Sequence, residues 1–264
     1  MSVPRRPSLR STAPILLLIL LLTGCSMAAP DATDASPAGP PRGAAGPEPA
    51  VEAMRAAPSS PAPPARPAEI PGLGPGTRAL IPSTALQAFV VTGEAADSHR
   101  ATAALYTRDA PARSWRRVTA PWPAHNGMKG WTDLHVSGDL KSPNGVYSLT
   151  DAGGRLPDPG SRLPYDEQPH FAVSGDGFFG EPLEGSFDYV VAINYNRAEG
   201  VSPLDRARPL GLERGGGIWI HVDHGGPTQG CVSLPEERMK ELLLTLDPAK
   251  KPVIVMGDAA ALGR

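Results

Sequence analysis

Between residues 30 and 68 the chain is dominated by proline and alanine, with Val51 and Met54 its only larger apolar side chains. Such a stretch cannot bury enough surface to offset the entropy of ordering it. It reads as an extended, partly polyproline linker, with a reach on the order of 100 Å at ~3 Å per residue. Any sizeable core must therefore be built from the residues C-terminal to it. The chain divides into a leader (1–24), a Pro/Ala-rich linker (25–69), a domain large enough for one substantial core (70–258) and a short tail (259–264).

The leader carries Arg5, Arg6 and Arg10 ahead of an unbroken Leu/Ile run from Ile15 to Leu22. That run falls short of the ~20 apolar residues a membrane span needs, and a charged start before a short apolar stretch is the pattern of a secretory signal. It ends Leu22-Thr23-Gly24-Cys25, which resembles the bacterial lipobox, whose cysteine is acylated and becomes the new N-terminus. An ordinary cleaved signal with a chance cysteine is the alternative. The lipobox reading places the protein at the outer face of the cell membrane, anchored through lipidated Cys25.

The formal net charge is −2 and no basic block stands out, so nucleic acid is not an expected partner. Two cysteines rule out a disulfide framework and a four-cysteine zinc site. With Cys25 assigned to the lipid anchor, Cys231 has no partner within the chain. An unpaired thiol outside the cytoplasm is open to oxidation and needs a reason to be there.

Short apolar runs separated by Gly, Pro, Asp and Asn predict strands at 88–92, 102–107, 115–119, 146–149, 171–174, 189–195, 217–222 and 253–256. Asp151–Gly160 reads as one long loop. Ser233-x-x-Glu236 has the form of a capping box with Pro235 in the first turn, and Met239, Leu242, Leu243 and Leu246 form an apolar stripe. The expected fold is mainly β, with this one helix packed on the sheet.

The chemistry-bearing residues are concentrated in Ile218–Pro235. Alternation along the strand assigns Ile218, Ile220 and Val222 to the core, and Trp219, His221 and Asp223 to a cleft. A turn rich in glycine then delivers Cys231, which can fold back towards His221. His221 would supply the base a thiol needs, and a helix beginning near Ser233 would add its N-terminal dipole. The N–H groups of Gly230 and Cys231 would form an oxyanion hole. Together these describe acyl transfer through a thioester. Two other readings stay open: His221, His224 and Cys231 as metal ligands, and a packed cysteine with no chemistry.

The sequence also resembles the YkuD-type L,D-transpeptidase catalytic domain over about residues 88–257. The likeness rests on Ile220-His221, then Thr228-Gln229-Gly230-Cys231-Val232, and on an earlier segment, Gly138-Asp139 through Pro143-x-Gly145-Val146-Tyr147, preceded by Gly127–Gly130. It implies a mixed-sheet, β-sandwich-like domain with Cys231 as nucleophile and His221 as general base and acid. It further implies the Val222 carbonyl beside the histidine, with Asp223 or His224 as other orienting groups. Peptidoglycan stem peptides would be the substrates of this exported, wall-facing enzyme, with no cofactor and no metal, and the domain is read as a monomer. The reaction would be 3→3 cross-linking, or stem trimming if water resolves the acyl-enzyme; a non-catalytic wall-binding or metal-binding lipoprotein is the competing reading. Gln229 stands where the family pattern has histidine, and Ser233 where Arg or Asn is common. Thr228, Gln229 and Ser233 are candidate orienting or substrate residues, and Asn194, Tyr195 and Asn196 candidate cleft residues.

Overall fold

The computed structural model describes residues 68–264; the leader, with Cys25, and nearly all of the linker lie outside the described residues. The strands are β1 (Gln87–Gly93), β2 (Arg100–Thr107), β3 (Arg116–Arg117), β4 (Trp122–His125), β5 (Trp131–Thr132), β6 (Ser142–Pro143), β7 (Gly145–Ser148), β8 (Ala152–Gly154), β9 (Tyr165–Glu167), β10 (Val190–Ala192), β11 (Trp219–Val222), β12 (Val232–Leu234) and β13 (Val253–Asp258). Helices α1 (Pro75–Leu80), α2 (Glu236–Thr245) and α3 (Ala259–Leu262) complete the set.

One mixed sheet runs in the order β7-β13-β1-β2-β4-β12-β11-β10-β8-β9, with β3 on β2 and β5 pairing β6 separately. Within this sheet three pairs are parallel, β1 with β13, β11 with β12 and β8 with β9, and the separate β5–β6 pair is parallel too. The topology forces this sheet to curl. Strands β7 and β8 sit near opposite ends of the order, ~38 Å apart if the sheet were flat. Only residues 149–151 connect them, a reach of ~15 Å. The closure is visible where the Asn194 N–H, just past β10, donates to the Ser148 carbonyl of β7 at 3.1 Å.

Curling encloses a large core containing Phe89, Leu105, Trp122, Val191, Ile220 and Ile254. The α2 stripe, Met239, Leu242, Leu243 and Leu246, is fully buried in it. A second, smaller cluster lies on the outer face of β1 and β13, where Val90 and Val255 meet Ile70, Leu73 and Leu262. Covered on both faces, β1 reads as a nearly continuous apolar run instead of an alternating one.

Several expectations are corrected. Ser233 is a strand residue, fully buried in β12, and α2 begins at Glu236 after Pro235 with no side-chain cap. The capping-box spacing is therefore coincidental, because the sheet claims Ser233 first. The expected strand at 171–174 is irregular chain, although Phe171 is buried against Trp219. The strand expected at 115–119 contracts to β3, and the loop at 151–160 contains β8. Residues 259–264 are no loose tail: the Asp258 carboxylate caps α3, and the Leu262 carbonyl accepts the Gly74 N–H at 2.8 Å.

Candidate active site

Strands β11 and β12 pair in parallel, with Ile220 opposite Val232 and His221 opposite Ser233. One residue back, this register sets Cys231 beside Trp219. Cys231 and His221 therefore project to the same side of the sheet, and both line a cleft of about 540 Å³. The thiol binds the backbone at the start of β11 and just before it: Sγ accepts the Trp219 N–H at 3.4 Å and the S–H donates to the Gly217 carbonyl at 3.7 Å.

His221 is buried, with Nδ1 2.8 Å from the Val222 carbonyl oxygen. A carbonyl can only accept, so Nδ1 carries the hydrogen and Nε2 keeps its lone pair. Burial pushes the His221 pKa down to about 4, partly offset by the Val222 hydrogen bond. Burial pushes the Cys231 thiol up to about 11 against the opposing Trp219 N–H, although the residue retains some exposure at the cleft. Around neutral pH the thiol and the imidazole are thus both uncharged. The expected helix dipole does not rescue the thiolate, because the whole of β12 separates Cys231 from the start of α2.

The turn before Cys231 is held from both sides. Thr228 Oγ1 accepts the Gly230 N–H at 3.1 Å and donates to the Cys231 carbonyl at 2.7 Å. The Gly230 N–H is thereby consumed and is no free oxyanion donor, which corrects that expectation. No protein acceptor takes the Cys231 N–H among the described residues. Below the turn, the Ser142 hydroxyl donates to the Gly230 carbonyl at 2.8 Å and accepts the Gly127 N–H at 2.9 Å. The two earlier motif segments are thus the floor under the cysteine turn. Gly230 cannot be replaced there: its φ is +152° and a Cβ would stand 2.9 Å from the Lys141 carbonyl.

Other predicted site residues separate. Asp223 leaves the cleft, accepting from His125 Nδ1 at 2.8 Å and from the Ser233 hydroxyl at 2.7 Å, so it does not orient His221. Trp219 packs against Phe171 and Phe187. Gln229 is exposed on the cleft, and His224 lines it. Asn194, Tyr195 and Asn196 bind Ser148 and Thr150, the Arg214 carbonyl, and the Gly211 and Gly215 carbonyls respectively, and line no part of the cleft. Among the described residues, no three His, Cys, Asp or Glu side chains converge as a metal site.

Two residues carried no sequence signal. His135 lines the cleft, buried, with Nδ1 3.0 Å from Asp139 Oδ1. Glu181 comes from the loop forming one cleft wall and reaches His224. Neither sits in a local motif; both meet the site only through tertiary folding.

The architecture is that of a mainly β domain with a cysteine and a tautomer-fixed histidine facing one cleft. Residues 95–255 match the L,D-transpeptidase catalytic domain, YkuD, and the chain belongs to this family, whose members are cysteine-dependent L,D-transpeptidases acting on peptidoglycan. Comparison with curated proteins and with solved structures gave no match.

Proposed function

We propose that this protein is an exported, lipid-anchored L,D-transpeptidase that joins peptidoglycan stems by 3→3 cross-links through a Cys231 thioester. The observation that carries the reading is the placement of Cys231 and His221 on one face of adjacent parallel strands, with the histidine tautomer set by Val222. Sγ attacks the carbonyl of the stem's diamino acid as His221 Nε2 takes the thiol proton. The Cys231 N–H stabilises the developing oxyanion. Collapse expels the terminal D-Ala, whose amine receives that proton from His221, leaving the acyl-enzyme. An amine of a second stem displaces the thiolate and completes the link.

Because thiol and imidazole are both neutral at rest, proton transfer accompanies attack instead of preceding it. The anchor rests on Leu22–Cys25 and the wall-facing location follows from it. The test is incubation of the protein with a stem tetrapeptide, followed by mass analysis. Cross-linked dimer with release of D-Ala supports the proposal. Tripeptide alone identifies a trimming carboxypeptidase, and unchanged substrate overturns both.

A further inference from the structure

A second imidazole lies against the first. His224 stacks on His221, ring centroids 5.9 Å apart and planes within 10°. The parallel pairing explains this position. Loop 223–231 must carry the chain from the end of β11 back to the start of β12, with fewer residues than the dozen or so such a crossover usually takes. It returns close over the sheet, bringing His224 onto His221.

His224 Nδ1 lies 3.2 Å from Glu181 Oε1, with the side chains 5% and 12% exposed. The two atoms are off line for a hydrogen bond, and neither has another partner among the described residues. Glu181 Oε2 accepts the Phe179 N–H at 2.8 Å. Burial alone would raise the carboxyl pKa, but the backbone N–H groups and His224 outweigh it and hold the group below its usual value. The carboxylate reaches His224 through a slot walled by two glycines: a Cβ on Gly226 would lie 1.9 Å from Oε1, and one on Gly177 2.1 Å. With Nδ1 turned to Glu181, Nε2 is the nitrogen left for the cleft, and it has no hydrogen-bond partner among the described residues.

We propose that His224, positioned by Glu181, is the base for the second half-reaction, taking the proton of the amine that resolves the Cys231 thioester. The inference rests on the acyl-transfer reading above. The acceptor nitrogen bonds to the thioester carbonyl carbon while one of its protons passes to His224 Nε2. The C–S bond then breaks with its electron pair on Sγ. The His224 imidazolium faces the Glu181 carboxylate until cleft water returns the proton to the thiolate. His221, whose burial makes it release a proton readily, suits protonation of the departing amine better than holding a proton from the incoming one.

The test uses the full chain as wild type, His224→Gln and Glu181→Gln, each read in two assays. One is the rate of carbapenem acylation by intact-protein mass; the other is cross-link formation from stem tetrapeptide. His224→Gln is expected to acylate within about threefold of wild type and to lose transfer by ~10²-fold, and Glu181→Gln to lose transfer by about tenfold with acylation kept. Retained acylation shows that the variant is folded, and if His224→Gln does not fold the isosteric Glu181→Gln decides. Equal losses in both assays, or undiminished transfer, overturn the inference. A wild type giving neither adduct nor product overturns the acyl-transfer reading itself, a separate result.

Discussion

Ser142 and Gly230, 88 positions apart, are joined by a 2.8 Å hydrogen bond from hydroxyl to carbonyl, directly before the cysteine. The same hydroxyl accepts the Gly127 N–H, so one buried side chain ties three segments. Ser142→Ala would leave a buried donor and a buried acceptor unpaired, at a cost of ~1–3 kcal/mol. We expect a lower denaturation midpoint in urea and slower acylation of Cys231. Unchanged values for both would show that the turn is held otherwise.

A thiol at about 11 and an imidazole at about 4, lining one cleft, are both un-ionised across the neutral range. Alkylation by iodoacetamide should therefore be slow at pH 7 and rise about tenfold per pH unit towards pH 11, following the thiolate fraction. A rate already on its plateau at pH 7 would reveal a resting thiolate–imidazolium pair and contradict attack coupled to proton transfer.

The same burial links His221 to stability. Its folded pKa of about 4 lies below the ordinary 6.5, so the unfolded chain binds the proton more readily. Stability from this residue is complete above pH 6.5 and falls as pH drops towards 4, by about 3 kcal/mol. His125 works in the opposite sense. The Asp223 hydrogen bond raises its pKa, so its contribution is present below pH 6.5 and fades as pH rises through the folded value. Urea unfolding at pH 7 and pH 4 for wild type and His221→Gln isolates the term: the acid loss should be smaller in the variant. Equal losses would contradict it.

Asp223 faces His125 and Ser233 instead of His221. Asp223→Asn should lower the His125 pKa, read by NMR titration, while slowing carbapenem acylation far less than His221→Gln, which should cost ~10²–10⁴-fold. Equal losses in acylation would place Asp223 in the catalytic arrangement after all.

What was legible in the sequence is what short-range pattern records. Strand β11 showed through its Ile218–Ile220–Val222 alternation, β1 and β13 through apolar runs, and α2 through its Met239–Leu246 stripe. Strands β12 and β4 are short and stand in no longer apolar run of the kind that leads into β11, and their membership is decided by partners far along the chain. Ser233 illustrates the failure: its spacing to Glu236 imitates a helix cap, yet pairing with β11 and the hydrogen bond to Asp223 hold it in the sheet. The Cys231–His221 constellation was local enough to see. The Glu181–His224 contact was not, because its two halves come together only when the cleft wall folds over β11.

Every step proposed for this cleft depends on Cys231 being its nucleophile. The intact mass of the purified protein after incubation with a carbapenem, beside Cys231→Ala shown to be folded by its circular dichroism, decides that directly. A single covalent adduct is predicted on wild type and none on the variant. An adduct that persists on Cys231→Ala, or a folded wild type that acquires none from either a carbapenem or a stem tetrapeptide, would contradict it.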